Sequence, residues 1–265
     1  MAFKMAARTL LHLGAELISS DAVALYELIK NAFDAGSMAG VTIGVAVRLP
    51  TWPGEWPRRL SNVEGDHSNK ALSALKEEFL AALDATAPRS AECANAIRAA
   101  RTARELCAVV EEANEIVISD TGHGMSKADL NDVYLTIGTR HRREQKENQR
   151  SSNRRNERPI LGEKGLGRLS AMRLGQRVCV RTTKRGETHW NLLEIDWSRF
   201  SHDSDELLDE ITVEPRTGKT KDDIGEQGTT ITVSALNSRW TKSNVLEFAG
   251  NEAAKFNSPF DNEKR

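Results

Sequence analysis

The sequence predicts an α+β fold rather than a doubly wound parallel sheet. Two predicted helices open the chain, and four predicted strands follow one another between residues 176 and 235, whereas a doubly wound fold alternates strands with helices throughout. The chain has 265 residues, which fits one large domain or two small ones. Apolar residues make up 39% of the chain, so a sizeable core can be buried even though aromatic residues are few.

The individual helices and strands are predicted from the spacing of apolar residues. Helices are expected at 4–18, 21–35, 69–86, 90–113, 126–136 and 239–256. Strands are expected at 41–49, 115–119, 176–184, 188–196, 209–215 and 228–235. A turn-rich stretch, TWPGEWPRR, and the two helices after it separate the first two strands. Residues 50–113 are therefore interpreted as a helical hairpin inserted into the sheet.

Composition and charge exclude several classes of protein. The chain has 37 Lys and Arg against 38 Asp and Glu, and this balance argues against a protein that coats nucleic acid or an anionic membrane. No stretch reaches the roughly 18–20 apolar residues of a membrane span, and Arg8 and His12 interrupt the apolar N-terminal segment. Cys93, Cys107 and Cys179 are widely spaced, which predicts neither a disulfide framework nor a zinc site. A cytoplasmic location is expected.

The helix at 21–35 carries one apolar stripe and one polar stripe. Its polar residues Glu27, Asn31 and Asp34 are three or four positions apart and therefore lie along one face. A carboxylate can act as a general base on water, and an asparagine oxygen is a suitable hard ligand for Mg²⁺. The alternative is an ordinary amphipathic helix with a solvated polar face.

A glycine-containing loop, DTGHGM, follows the strand at 115–119. Asp120 lies where the strand ends, and its carboxylate can accept a hydrogen bond from the exocyclic amine of an adenine. Gly122 and Gly124 allow the backbone to turn tightly and to approach a ligand, while Met125 offers a polarisable apolar surface to a flat ring. The alternative is a plain Asp-Gly turn.

A second glycine-rich loop, GEKGLGR, precedes a helix expected to begin near Leu166. Glycines 162, 165 and 167 leave backbone N–H groups available for phosphate, and Lys164 can add a charge-assisted contact. The spacing matches neither a P-loop nor a dinucleotide-binding fingerprint. The basic run at 140–158 before it is interpreted either as a lid that closes over the phosphates or as a solvated loop.

The last motif opens the strand at 228–235, where Gly228 is followed by Thr229 and Thr230. Strand threonines are common and carry little information alone. In their order along the chain, however, the four motifs resemble the GHKL ATPase superfamily, which includes DNA gyrase B, a large heat-shock chaperone, sensor histidine kinases and mismatch-repair MutL. The resemblance covers about residues 10–47 and 114–236, and the wording ELIKNAFDAGS is nearest to chaperone-like and MORC-like bacterial ATPases.

The resemblance implies a fold and a set of roles. The fold is the Bergerat ATP-binding fold, a two-layer α/β sandwich in which helices cover one face of a mixed, mostly antiparallel sheet. It implies that Glu27 activates the attacking water, that Asn31 binds Mg²⁺ and that Asp120 binds the adenine amine of ATP, in a pocket shaped by Gly122 and Gly124. The other positions implied in nucleotide binding are Asp34, Met125, Thr139, Gly162, Lys164, Gly165, Leu166, Gly167 and Thr229. Arg140 is a weaker candidate.

The predicted function is an ATP-binding, Mg²⁺-dependent ATPase module that works as a nucleotide-driven conformational and dimerisation switch. The alternative is a non-hydrolysing nucleotide sensor or a histidine-kinase-like signalling module. Glu27 favours hydrolysis, because histidine kinases typically lack a glutamate at that position. His12 lacks the acidic neighbour of a phosphoacceptor histidine and is interpreted as a helix-packing residue.

The predicted domain organisation places an ATP-binding domain at 1–236, with the insertion at 50–113 and the lid at 140–168. The helix within 237–265 is expected to lead into a downstream domain, so the chain is interpreted as a fragment of a longer protein. An ATP-dependent homodimer and a downstream effector are the expected partners. Nucleic acid binding through the basic run is an open alternative, and no membrane association is expected.

Overall fold

The computed structural model describes residues 5–37, 39–50, 68–136, 169–200 and 206–251. The α-helices are α1 (Arg8–Leu17), α2 (Asp21–Asp34), α3 (Ser68–Ala82), α4 (Ser90–Ala99), α5 (Ala103–Glu111), α6 (Lys127–Asp129), α7 (Ser170–Leu174) and α8 (Lys242–Asn251). A π-helix spans Leu130–Tyr134 and a 3₁₀ helix spans Trp197–Phe200. The strands are β1 (Val41–Ala46), β2 (Glu115–Asp120), β3 (Gly175–Thr183), β4 (His189–Asp196), β5 (Arg216–Thr220) and β6 (Gly228–Leu236).

The six strands form one sheet in the order β1-β2-β6-β3-β4-β5. Strands β3 and β4 pair antiparallel, with Val180 opposite Leu193 and Thr182 opposite Asn191, and β4 pairs antiparallel with β5. Because β3, β4 and β5 are neighbours in both sequence and space, this half of the sheet is a meander. The predicted α+β class with a mostly antiparallel sheet is confirmed.

The chain divides into two compact units, and the first comprises Met1–Ile43 and Val117–Val233. In this unit, helix α2 begins at a capping residue, Ser20, whose hydroxyl accepts a hydrogen bond from the backbone N–H of Val23 at 3.2 Å. The apolar stripe predicted on α2 is confirmed, since Leu25, Leu28 and Ile29 are each at most 3% exposed. Burial of this stripe fixes which face of α2 remains for polar groups.

The second unit comprises Gly44–Ile116 and Ser234–Arg265. Helices α3, α4 and α5 bury an apolar cluster around Leu49, Phe79 and Leu106. Arg48 is only 3% exposed, and it donates to the carbonyl of Ala113 and to the carboxylate of Glu115, both at 2.7 Å. Burial acts to raise the pKa of Glu115, but Arg48 and a second arginine at position 89 lower it overall. The buried guanidinium is thus matched in charge and in hydrogen bonds.

Three predicted elements differ from the structure. The helix predicted at 90–113 is two helices, because Thr102 caps a new one by accepting a hydrogen bond from the N–H of Glu105. The strand predicted at 209–215 is shifted to Arg216–Thr220, beyond Pro215, which has no N–H to donate to a ladder. The helix predicted at 126–136 is one α-turn followed by the π-helix. His12, interpreted as a packing residue, is exposed on α1.

Candidate functional site

A cavity of about 370 Å³ lies within the first unit, and it brings together six of the predicted site residues. These are Asn31, Asp34, Asp120, Gly124, Met125 and Thr229. The other residues that line it are Leu28, Ala32, Ala35, Ile118, His123, Asp129, Val133, Tyr134, Lys184 and Ile231. Apolar side chains thus form much of the wall, and the polar groups come from α2, from β2 and the loop after it, from α6, from the turn after β3 and from the start of β6.

Helix α2 contributes Asn31 and Asp34, which lie three positions apart and both reach the cavity. Glu27 was predicted to act with them, but it is not among the residues that line the cavity. Its carboxylate instead accepts a hydrogen bond from the ammonium group of Lys30 at 2.8 Å. Asn31 and Asp34 therefore line the cavity, whereas Glu27 does not and is ion-paired.

The carboxylate of Asp120 is the acidic group at the end of β2. Burial raises its pKa, although the backbone N–H groups of Gly122 and Thr229 and the nearby His123 oppose that rise. The N–H of Gly122 reaches the Asp120 Oδ1 at 2.8 Å, so Gly122 orients the acid without lining the cavity itself. A half-buried carboxylate held by two N–H donors presents its remaining lone pairs in a fixed direction.

Close backbone packing explains two of the predicted glycines. Gly124 has a φ of +65°, and a Cβ there would lie 1.9 Å from the carbonyl oxygen of Thr183. Gly228 has a φ of +130°, and a Cβ there would lie 2.2 Å from the carbonyl oxygen of Asp120. Neither neighbour can move easily because both are main-chain atoms. The loop after β2 therefore packs against β3 and β6 at distances that only glycine permits.

The same loop is anchored to the segment after α2. The hydroxyl of Ser37, which is 1% exposed, accepts a hydrogen bond from the N–H of Thr121 at 3.1 Å and donates to the carbonyl of Gly40 at 2.5 Å. The N–H of His123 donates to the carbonyl of Ala35 at 2.9 Å. These bonds hold the end of α2 beside Asp120. Sequence reasoning missed Ser37, and the segment AGS carries no signal that distinguishes it from a helix-ending turn.

Two side chains from the β3–β4 hairpin form hydrogen bonds with the backbone of Met125. Its N–H donates to the Thr182 hydroxyl at 2.9 Å, and its carbonyl accepts from the Asn191 amide at 3.1 Å. The same amide nitrogen of Asn191 contacts the Glu187 carboxylate at 2.9 Å. Sequence reasoning missed all three residues, because a threonine or an asparagine on a strand, and a glutamate in the turn between strands, belong to no motif.

An ion pair forms part of the cavity wall. Lys184 lies 2.5 Å from Asp129, whose carboxylate also accepts from the hydroxyl and the N–H of Ser126 in a capping box. Burial acts to raise the pKa of Asp129, but Lys184 and Ser126 together lower it to about 2. The S-x-x-D spacing could have identified the capping box, whereas nothing in the sequence pairs Asp129 with Lys184.

A family model described as "Histidine kinase-, DNA gyrase B-, and HSP90-like ATPase" matches residues 92–229, which is more than half of the chain. The chain belongs to this ATPase family. The matched range contains Asp120, Met125 and Thr229, while Asn31 and Asp34 lie before it and are joined to the site by the cavity. Among curated proteins, none matches the chain significantly.

Several residues predicted for this ATPase site lie outside the described residues. They are Thr139, Arg140, Gly162, Lys164, Gly165, Leu166 and Gly167. The basic run at 140–158 also lies outside. Within the described ranges, no helix is long and apolar enough to cross a bilayer.

Proposed function

We propose that the first unit binds ATP in this cavity, that it hydrolyses ATP with Mg²⁺, and that the chain uses the nucleotide as a conformational and dimerisation switch within a larger protein. Membership of the ATPase family supports ATP binding in general. The observation that carries the specific proposal is that one cavity holds a half-buried carboxylate, Asp120, together with the amide of Asn31 and the carboxylate of Asp34.

The adenine is proposed to lie against Asp120. The carboxylate would accept the exocyclic amine, and the side chains of Ile118, Met125 and Ile231 would contact the faces of the ring. Apolar walls with a few oriented polar groups are the usual composition of a small-molecule site. The N–H groups of Gly122 and Thr229 already donate to the Asp120 carboxylate, so a ligand donor is expected to bind only where the carboxylate lone pairs are not used by these two groups.

Asn31 and Asp34 are proposed to face the phosphates and the metal. Both offer hard oxygen atoms to the same cavity, and the described residues contain no cluster of three or more His, Cys, Asp or Glu that could hold a metal alone. That donor set fits Mg²⁺, which takes one or two protein ligands and completes its shell with phosphate oxygens and water. When bound, Mg²⁺ would neutralise charge on the phosphate oxygens. Residues 162–167 remain predicted phosphate contacts.

Glu27 is the proposed general base. It lies one helical turn before Asn31 on α2, and this spacing supports a role beside the metal and the terminal phosphate that Asn31 is proposed to face. In the present structure its carboxylate is ion-paired with Lys30 at 2.8 Å. Catalysis by Glu27 therefore requires that its side chain leave Lys30 and turn toward the cavity.

The test compares ATP binding and turnover in the wild-type chain and in Glu27→Gln. Glu16→Gln is the control, because Glu16 is an exposed glutamate on α1. We expect wild-type protein to bind ATP in the presence of Mg²⁺, Glu27→Gln to bind it equally well and to hydrolyse it at least ~100-fold more slowly, and Glu16→Gln to match wild type. Absence of ATP binding by the folded wild-type protein would refute the proposal.

A second candidate function is a nucleotide sensor that does not hydrolyse ATP. The Glu27–Lys30 ion pair favours it, because a glutamate held by a lysine is not positioned to activate water. A sensor would bind ATP, show negligible turnover, and lose nothing when Glu27 is replaced. His12 is exposed on α1, so transfer of a phosphoryl group to it can be tested directly with labelled ATP.

A further inference from the structure

Two threonine hydroxyls lie side by side where β3 meets β6 at the cavity. Thr182, which is fully buried, and Thr229, which is 7% exposed, have their Oγ1 atoms 2.9 Å apart. Thr229 lines the cavity, whereas Thr182 lies behind it. The backbone N–H of Thr229 donates to Asp120, so the threonine and the acid are held together at one end of the cavity.

Counting protons settles which hydroxyl donates. Thr182 Oγ1 contacts the carbonyl oxygen of Gly228 at 3.0 Å, and a carbonyl can only accept, so the single hydroxyl proton of Thr182 is directed there. Thr182 Oγ1 also accepts the N–H of Met125 at 2.9 Å. If all three contacts of Thr182 are hydrogen bonds, the proton in the contact with Thr229 must come from Thr229.

The orientation of the Thr229 hydroxyl follows from this count. Once Thr229 gives its proton to Thr182, its oxygen has only lone pairs to offer a ligand. The carboxylate of Asp120 beside it is also an acceptor. This end of the cavity then presents two acceptors, and where they face the 6-substituent of a purine, both suit an amino group rather than a carbonyl oxygen.

We propose that Thr182 is a positioning residue that makes this site select 6-amino purine nucleotides over 6-oxo purine nucleotides. It acts by holding the Thr229 hydroxyl as an acceptor, although it does not touch the ligand. The proposal rests on the proposed function, because it assumes that a purine occupies the Asp120 end of the cavity with its 6-substituent, rather than N1, toward the Thr229 hydroxyl. Without Thr182 as a proton acceptor, the Thr229 hydroxyl can rotate and donate to the carbonyl oxygen of a 6-oxo purine.

The backbone around Thr182 makes this arrangement rigid. Met125 is held on its other side by the Asn191 amide, and Asn191 is directly opposite Thr182 in the β3–β4 register. The acceptor for the Thr182 proton, the carbonyl of Gly228, belongs to the residue before Thr229. The position and the proton direction of Thr182 are therefore both set by main-chain atoms rather than by flexible side chains.

The experiment measures dissociation constants for ADP and for inosine diphosphate, with Mg²⁺, in four proteins. These are the wild type, Thr182→Val, Thr182→Ser and the control Thr217→Val, which changes an exposed threonine on β5. Valine keeps the shape of threonine and removes the hydroxyl. We expect the preference for ADP over inosine diphosphate to fall about tenfold in Thr182→Val. It should stay at the wild-type value in Thr182→Ser and in Thr217→Val.

The ratio of the two dissociation constants separates positioning from a purely structural effect. Movement of the Met125 loop weakens both nucleotides alike, so an unchanged ratio in Thr182→Val overturns the inference even if both affinities fall. A changed ratio in Thr182→Ser overturns it as well. If the wild type binds neither nucleotide, the proposed function fails and this inference fails with it. If Thr182→Val does not fold, Thr182→Cys, whose thiol is a weak hydrogen-bonding group, replaces it with the same expected outcome.

Discussion

Replacing Asp120 with asparagine should abolish tight nucleotide binding while leaving the protein folded. The side chain keeps its size but has one acceptor oxygen instead of two. That oxygen can accept from the N–H groups of Gly122 and Thr229, or it can face the ligand amine, but it cannot do both. A hydrogen bond to a charged acceptor contributes about 1.5–3 kcal/mol, so the affinity for ADP should fall by roughly 10- to 150-fold.

The same substitution should raise the free energy of unfolding relative to wild type, by an amount that depends on pH. Burial raises the pKa of Asp120 above the ordinary value of 3.8, which means that the folded state disfavours the ionised form. The contribution of Asp120 to the free energy of unfolding is therefore most favourable below pH 3.8. It falls as the pH rises through the raised pKa of the folded state. The asparagine side chain of the variant is neutral throughout. The stability of Asp120→Asn relative to wild type should therefore increase between pH 4 and pH 7.

Calorimetric titration with ADP and thermal unfolding at both pH values test these expectations together. We expect the Tm of Asp120→Asn at pH 7 to equal or exceed that of wild type, by up to ~3 °C for about 1 kcal/mol. Asp222→Asn, at an exposed position, is the matched control and should change neither property. If Asp120→Asn binds ADP as tightly as wild type, the assignment of the cavity is wrong. If it unfolds instead, Asp120 serves the fold rather than a ligand.

Two further substitutions test the packing and the electrostatics of the site. Gly124→Ala would place a Cβ 1.9 Å from the carbonyl oxygen of Thr183, and we expect a loss of about 3 kcal/mol or more in unfolding free energy. The control is Gly186→Ala, which has a φ of +89° but open space around it and should cost only the backbone strain. Equal losses of unfolding free energy in the two variants would show that the clash at Gly124 does not contribute. Asp129→Asn removes a partly exposed ion pair with Lys184 and should cost at most ~1 kcal/mol at pH 7. The folded pKa of Asp129 is about 2 because both Lys184 and Ser126 lower it, so the stability that the ionised carboxylate contributes in the wild type is complete above pH 4 and lost between about pH 4 and 2. If Asp129→Asn keeps this dependence in acid urea unfolding, the attribution to Asp129 is refuted.

The features that could be predicted from the sequence are those encoded by neighbouring residues. The core stripe of α2 follows from apolar spacing within one helix, and its cap, Ser20, directly precedes the first helical residue. The Asp-x-Gly-x-Gly loop was recognisable because its own backbone turns back on Asp120 within two residues. The strand after Pro215 was misplaced because β-branched residues before the proline suggest a strand, whereas the missing N–H decides where the ladder begins.

The contacts that complete the site join residues that are far apart in the chain. Thr182 and Met125 are 57 positions apart, and Asn191 and Met125 are 66 apart. Ser37 and Thr121 are 84 apart. No short motif spans such separations, and each of these residues has an ordinary alternative role on a strand or in a turn. The sequence therefore identifies the groups that would face a ligand, and the structure identifies the groups that hold them.

The register of one hairpin explains how those holding groups meet. Thr182 and Asn191 are directly opposite each other on β3 and β4, and together they bind the N–H and the carbonyl of Met125. A shift of the register by one residue would turn one strand's side chains to the other face of the sheet and would separate the pair. The turn between them, with Gly186 at a φ of +89°, fixes the register. The geometry of the candidate site therefore depends on Gly186, which does not itself line the cavity, and changes at Gly186 should be detected first at Met125.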